Sequence, residues 1–395
     1  MEEELFDFTT RHDRTQWNSY KWNSMERIWH RSDLLPMWVA DMDFASPPCF
    51  QRALQHRIEH PIFGYEIVPE SYWQSIMDYL LRTQNWCIAR EWLMFMPGVL
   101  RGLSIVMQYF ARHGDGVVVF SPIYPPFYTI PKALGLHIFD CPLQETSSLR
   151  YAIHYEHLER LLSNKDNHIK LLLLSNPQNP SGQQWSETEL KQLASLCAKY
   201  HVLVISDEIH SGLMLWGKEH IPFARISNEA AMNSITFCSA SKTYNVSGFS
   251  SAWCIIPNPN LREYFYDILV KTELGEPSPL PAMVTQTVLN EGDPWRKALI
   301  KVLENNVRLT ENVIKMRHIN IKVWRPDASF LVWLDFRSLG LSHEEVSKTL
   351  VHSAHLALND GLSFGENGRG FMRLNVGCPE SMLLQALHQL VDAFE

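Results

Sequence analysis

At 395 residues the chain exceeds the usual single-domain range, so two domains are expected. Its 46% apolar and 20% charged residues build a sizeable core and exclude a disordered chain. A formal charge of −8, with no stripe of Lys and Arg, argues against nucleic-acid binding as the main role.

The acidic opening, Met1 to Asp7, lacks the basic flank and apolar segment of a signal peptide, and the longest pure aliphatic run, Leu171 to Leu174, is too short to span a membrane. The seven cysteines are scattered with no CxxC pair, which predicts reduced core thiols and no metal site. A soluble, cytoplasmic protein is expected.

Residues 1 to about 46 mix aromatics and charges without periodicity and reach Trp38-Val-Ala-Asp-Met-Asp-Phe44. From Pro47 to about residue 90 the pattern is helical, broken by the Pro61 to Pro69 segment that contains Phe63-Gly-Tyr65. Met96-Pro-Gly-Val-Leu100 forms a Gly-centred turn before the periodic stretch Leu103 to Phe110. Short apolar runs then alternate with longer periodic segments: Val117–Phe120, Lys170–Leu174, Val202–Ile205, Ser234–Phe237 and Ala252–Ile256 read as buried strands. The capping box Ser186-Glu-Thr-Glu189 starts a helix that runs to about Tyr200. Strand and helix alternating at this spacing predict an α/β fold, a largely parallel sheet with helices on its faces. A Pro-rich break, Glu273 to Pro281, precedes a helical run from about Thr285 to Arg317, and Phe330–Phe336 and Phe371–Val376 are strand candidates of a smaller α+β domain. The expected division is a large domain over 47–284 and a small domain over 285–395, which the segment 1–46 joins.

Ligands of such sheets bind beyond the carboxyl ends of the strands, and three polar residues lie just past three strand candidates. They are Asn179 in Asn176-Pro-Gln-Asn-Pro-Ser-Gly182, Asp207 in Asp207-Glu-Ile-His210, and Lys242 in Ser239-Ala-Ser-Lys-Thr-Tyr-Asn245. Singly each is an ordinary turn or cap residue. As an ordered trio they suit a planar pyridine cofactor. Lysine supplies the imine nitrogen, aspartate keeps the ring nitrogen protonated, and asparagine bonds the ring oxygen. The helix start at Val99 and Leu100 offers backbone N–H groups to a phosphate, and Ser239 and Ser241 add hydroxyls. Tyr124 can stack on a ring, and His210 can bond the ring oxygen. Arg373 is a charge inside an apolar strand, so either a substrate carboxylate or an internal Asp or Glu must pair with it.

These stretches, together with Lys21-Trp22, Pro97-Gly-Val99, Tyr124-Pro-Pro-Phe127 and Arg373-Leu-Asn375, resemble the fold-type I pyridoxal-phosphate enzymes and, within them, the MalY/PatB-type cystathionine β-lyases. The resemblance runs nearly end to end. It implies an aminotransferase-like fold with pyridoxal 5′-phosphate on Lys242, Asp207 at the pyridinium nitrogen, and Asn179 and His210 near the ring oxygen. It further implies Tyr124 on the ring face, and Ser239, Ser241 and the Val99 and Leu100 amides on the phosphate. Arg373, assisted by the backbone near Ala40, would take the substrate α-carboxylate, and Tyr65 would reach the phosphate of the neighbouring subunit in a homodimer.

The implied activity is α,β-elimination of L-cystathionine, or of cysteine and related S-substituted cysteines, to a thiol, pyruvate and ammonia. The same cofactor residues also serve aminotransferases, which is the first alternative; a regulatory binding protein on this fold is the second. Two positions depart from the family pattern. Ser250 stands where many aminotransferases place a phosphate-binding arginine, and Gly212 replaces an acidic residue, with a bearing on specificity if that position shapes the substrate entrance.

Overall fold

The computed structural model describes residues 6–276 and 278–395; residues 1–5 of the acidic opening and Pro277 of the Pro-rich break lie outside the described residues. Seven strands build the central sheet: β1 (Leu93–Met96), β2 (Gly116–Val119), β3 (His137–Asp140), β4 (Ile169–Ser175), β5 (Leu203–Asp207), β6 (Ser234–Cys238) and β7 (Ala252–Ile255). Their order is β1-β7-β6-β5-β4-β2-β3. Neighbours from β6 to β3 are parallel, while β7 runs antiparallel to both β6 and β1.

The five apolar runs read as strands all lie in this sheet, each within a residue or two of its expected bounds. They are continuous because both faces are covered. Val117, Leu171 and Ile205 face one apolar cluster, while Val118, Leu172 and Val204 face the opposite one. Each such side chain contributes about 1.5–3 kcal/mol on burial, so both layers of helices are held firmly. The outer strands escaped the sequence reading. β3 has exposed residues at both ends and two half-buried ones between, too few to make an apolar run, and β1 abuts the Met96-Pro turn.

Helices α1 (Pro48–Glu59) and α2 (Glu70–Gln84) flank the extended stretch 60–69, as the Pro61 to Pro69 break predicts. Helix α3 (Val99–Phe110) follows β1, and α4 (Glu187–Lys199) carries the expected capping box, Ser186 with Glu189. The helical run expected from Thr285 to Arg317 is two helices, α5 (Pro279–Glu291) and α6 (Asp293–Met316). Pro294 has no N–H to continue a helix and sits in the first turn of the second one.

A second, antiparallel sheet contains β8 (Lys322–Trp324), β9 (Leu331–Asp335), β10 (Asn359–Asp360) and β11 (Phe371–Asn375), in the order β8-β9-β11-β10. The N-terminal segment meets this half of the chain: Leu35–Pro36 pairs with Leu356–Ala357, and Met37 packs in the cluster formed by Val332, Leu374 and Leu387. All seven cysteines are free; six are buried core thiols as expected, and Cys87 departs from that expectation by lying exposed at the end of α2.

Candidate active site

The ends of β4, β5 and β6 are level. Ser175 pairs with Asp207, and Asp207 with Phe237, so the loops carrying Asn179, Asp207 and Lys242 leave the sheet at one edge. There they border a cavity of ≈310 Å³. Asn179, Asp207, His210 and Lys242 line it, as do Tyr124, Ala40, Val99, Leu100, Ser239 and Ser241. Tyr65 and Arg373 are the two expected site residues outside this lining.

Buried Asp207 accepts a bond from the Ile209 N–H at 3.1 Å and, among the described residues, has no cation in hydrogen-bonding contact. Loss of solvent, reinforced by the neighbouring Glu208, pushes its carboxyl up to about 7. Lys242 is displaced the other way. Withdrawal from bulk water, aided by Arg373 and opposed by the attraction of Asp41 and Asp207, lowers its amine to about 8. The Lys242 ammonium donates to the Ala40 carbonyl at 2.5 Å. His210 is buried, with Nδ1 2.9 Å from the Ser329 hydroxyl, and desolvation with the nearby Lys242 and Arg373 charges lowers it to about 3, so its imidazole is neutral.

Arg373 lies at the margin of this group, buried and without a carboxylate partner among the described residues. Its Nη1 donates to Asn179 Oδ1 at 2.8 Å, its Nη2 to Asn359 Oδ1 at 2.5 Å and to the Trp38 carbonyl at 3.2 Å, and its Nε has no partner. The internal Asp or Glu weighed against a substrate carboxylate is therefore absent. Desolvation lowers the guanidinium to about 10, which leaves it charged at neutral pH and receptive to an anion.

The segment Trp38–Phe44 closes the cavity. Asn375 Nδ2 donates to the Val39 and Asp41 carbonyls at 2.6 and 2.7 Å, and Asn245 Nδ2 to those of Met42 and Phe44 at 3.1 and 2.8 Å. Behind it the fully buried Lys21 bonds Asp43 at 2.5 Å, and Arg14 bonds Asp41 at 2.6 Å and Asp43 at 2.8 Å. These paired charges explain why Lys21-Trp22 and the Asp41 and Asp43 pattern occur together: each buried charge needs its partner.

Pyridoxal 5′-phosphate fits these residues. Helix α3 begins at Gly98, whose φ of 118° is open to glycine, and no side chain caps its first N–H groups. Those uncapped donors face the cavity beside the Ser239 and Ser241 hydroxyls, which lie 2.7 Å apart. A phosphate is the anion such donors accept, and the Asp207 carboxylate suits a ring N–H. Ser250, with φ 41°, also lines the cavity.

Tyr65 is fully exposed in the stretch between α1 and α2, away from the cavity of its own chain. Gly212 does not line the cavity. A Cβ there would lie 2.1 Å from Thr243 Oγ1 and 2.5 Å from the Tyr79 hydroxyl, so the position packs behind the Lys242 turn. Arg101 and Ser247 line the cavity although the sequence reading passed over both. The signal for Arg101 was its place in the first turn of α3, where a cation is unusual.

The family model for aminotransferase class I and II matches residues 39–390. The chain is 38% identical to the cystathionine β-lyase PatB of Bacillus subtilis, covering 98% of this chain and 99% of that protein. It is 31% identical to the MalY protein of Escherichia coli, over 98% of this chain and 99% of the other. Cystalysin from Treponema denticola, whose crystal structure contains pyridoxal 5′-phosphate, superposes with a TM-score of 0.93 at 31% identity, with 98% of each chain covered. The fold, the cavity and these likenesses agree, and the chain belongs to the class I and II aminotransferase family, alongside the cystathionine β-lyase PatB and the MalY protein.

Proposed function

We infer that this protein is a pyridoxal-phosphate-dependent carbon–sulfur β-lyase that cleaves L-cystathionine, and S-substituted cysteines of like shape, to a thiol, pyruvate and ammonia. The observation that carries the reading is the pair Lys242 and Asp207 in one cavity, a lysine lowered to about 8 and an aspartate raised to about 7. When bound, pyridoxal 5′-phosphate supplies an aldehyde that joins amines and a ring that takes up the electron pair left on a substrate Cα.

The residues divide the remaining work. Lys242 Nζ would hold the aldehyde and, once the substrate's amine has taken its place there, would be free as a neutral amine to receive the Cα proton. Asp207 would keep a proton on the ring nitrogen, Asn179 and neutral His210 would serve the ring oxygen, and Tyr124 would stack on the ring. The Val99 and Leu100 amides, with Ser239 and Ser241, hold the phosphate. Arg373 binds the substrate α-carboxylate beside the Ala40 backbone and sets Cα toward Lys242. The electron pair left at Cα would expel the sulfur from Cβ as a thiolate that takes a proton, and the released enamine would tautomerise to an imine and react with water to give pyruvate and ammonia.

We propose further that the protein works as a homodimer with Tyr65 of each protomer reaching its partner's phosphate. The exposed Ile62, Phe63, Tyr65 and Ile67 support this, since such an apolar stretch on a soluble surface marks an interface. Residues 1–46 and 285–395 would form the smaller unit set against the cofactor-binding 47–284. No helix among the described residues is long and apolar enough to cross a membrane, and a cytoplasmic location is the proposal that accords with free thiols.

Incubating the purified protein with L-cystathionine and no keto acid tests the activity. Equal amounts of thiol, pyruvate and ammonia are expected. Amino transfer that depends on 2-oxoglutarate, without thiol release, would assign the site to an aminotransferase instead.

A further inference from the structure

The phosphate end of the cavity is short of charge. Its donors are backbone N–H groups and hydroxyls, and Ser250, which also lines it, carries no charge. One cation does border it. Arg101 lies in the first turn of α3 and lines the cavity, and its Nη1 donates to the Pro97 carbonyl at 2.6 Å. That bond folds the side chain back over the start of its own helix. A cation placed there meets the positive end of the helix dipole and lies beside uncapped N–H groups, an arrangement disfavoured unless an anion completes it. Among the described residues no carboxylate pairs with Arg101, whose side chain bonds the Pro97 carbonyl.

We propose that Arg101 is a phosphate-binding residue of this chain, taking from the first turn of α3 the charge-neutralising part that Ser250 cannot play. The proposal rests on the pyridoxal-phosphate reading above and deepens it. The guanidinium would present further N–H donors to the phosphate oxygens while Nη1 stays on Pro97. Because Arg101 is exposed on its outer side, its removal leaves the core untouched.

The test uses the full chain freed of cofactor and titrated with pyridoxal 5′-phosphate and with pyridoxal, which lacks the phosphate, each followed by visible absorbance. In Arg101→Ala the affinity for pyridoxal 5′-phosphate should fall by about tenfold, the loss of one charge-assisted hydrogen bond, while that for pyridoxal changes less than about twofold. Adding Ser250→Arg to Arg101→Ala should restore the phosphate preference, which a general structural defect would not allow. Equal weakening for both ligands, or no weakening for either, would overturn the assignment of Arg101. A wild-type protein that binds neither compound would instead overturn the cofactor reading itself.

Discussion

The lowered amine of Lys242 makes a prediction whose sign can be reversed by choice of mutation. At about 8 rather than the ordinary 10.5, about a tenth of the amine is neutral at pH 7, against roughly three parts in ten thousand for an unperturbed lysine. Only the neutral amine attacks an aldehyde, so covalent capture of pyridoxal phosphate by the cofactor-free protein should accelerate with pH to a midpoint near 8. Two neighbours set that value from opposite sides. Asp41 attracts the ammonium and raises it, so Asp41→Asn should move the midpoint below 8. Arg373 repels the ammonium and lowers it, so Arg373→Met should move the midpoint toward the ordinary value. The assay is the stopped-flow visible absorbance of capture across about pH 6 to 10, with each variant saturated to remove any effect on prior binding. A midpoint near 10.5 in the wild type, or shifts of the same sign in both variants, would refute the electrostatic reasoning.

Other outcomes follow from the same geometry. Arg373→Lys keeps a charge but loses the fork, so kcat/KM for L-cystathionine should drop by about 10- to 100-fold, chiefly through KM, as steady-state thiol release will report. Asp207→Asn should retain bound cofactor, measured by absorbance, yet lose about a hundredfold or more in pyruvate formation because the ring nitrogen is no longer kept protonated. Gly212→Ala should lower the stability of the chain by about 1–3 kcal/mol in urea unfolding, since the added carbon overlaps Thr243 and Tyr79; an effect on substrate choice with unchanged stability would assign that position a role in specificity instead.

The sequence carried the site further than it carried the sheet's outer strands. Asn179, Asp207 and Lys242 were legible because each follows an apolar run long enough to be a buried strand, and parallel strands bring their carboxyl ends together. The strand His137–Asp140 was not legible, because half of its residues face solvent and leave no apolar run. The partner of Arg373 was undecidable in one dimension, since Asn359 and Trp38 meet it only through β11 and the N-terminal strap. The break at Gly292-Asp-Pro294 was passed over because apolar periodicity continues across it, although Pro294 is a start signal for a second helix. Whether Gly212 shapes the entrance could not be read in one dimension for a related reason. A residue two after His210 belongs to the same turn in sequence, but that turn carries it behind Lys242 and out of the cavity.

The central claim is that Lys242 is the residue through which this protein holds its cofactor. Borohydride reduction of the purified holoenzyme, followed by proteolysis and mass mapping, reads that bond directly. The account predicts a single reduced pyridoxyl phosphate adduct on the peptide containing Lys242, absent after prior incubation with excess L-cysteine. An adduct on another lysine, or none on a protein that still releases thiol from cystathionine, would contradict it.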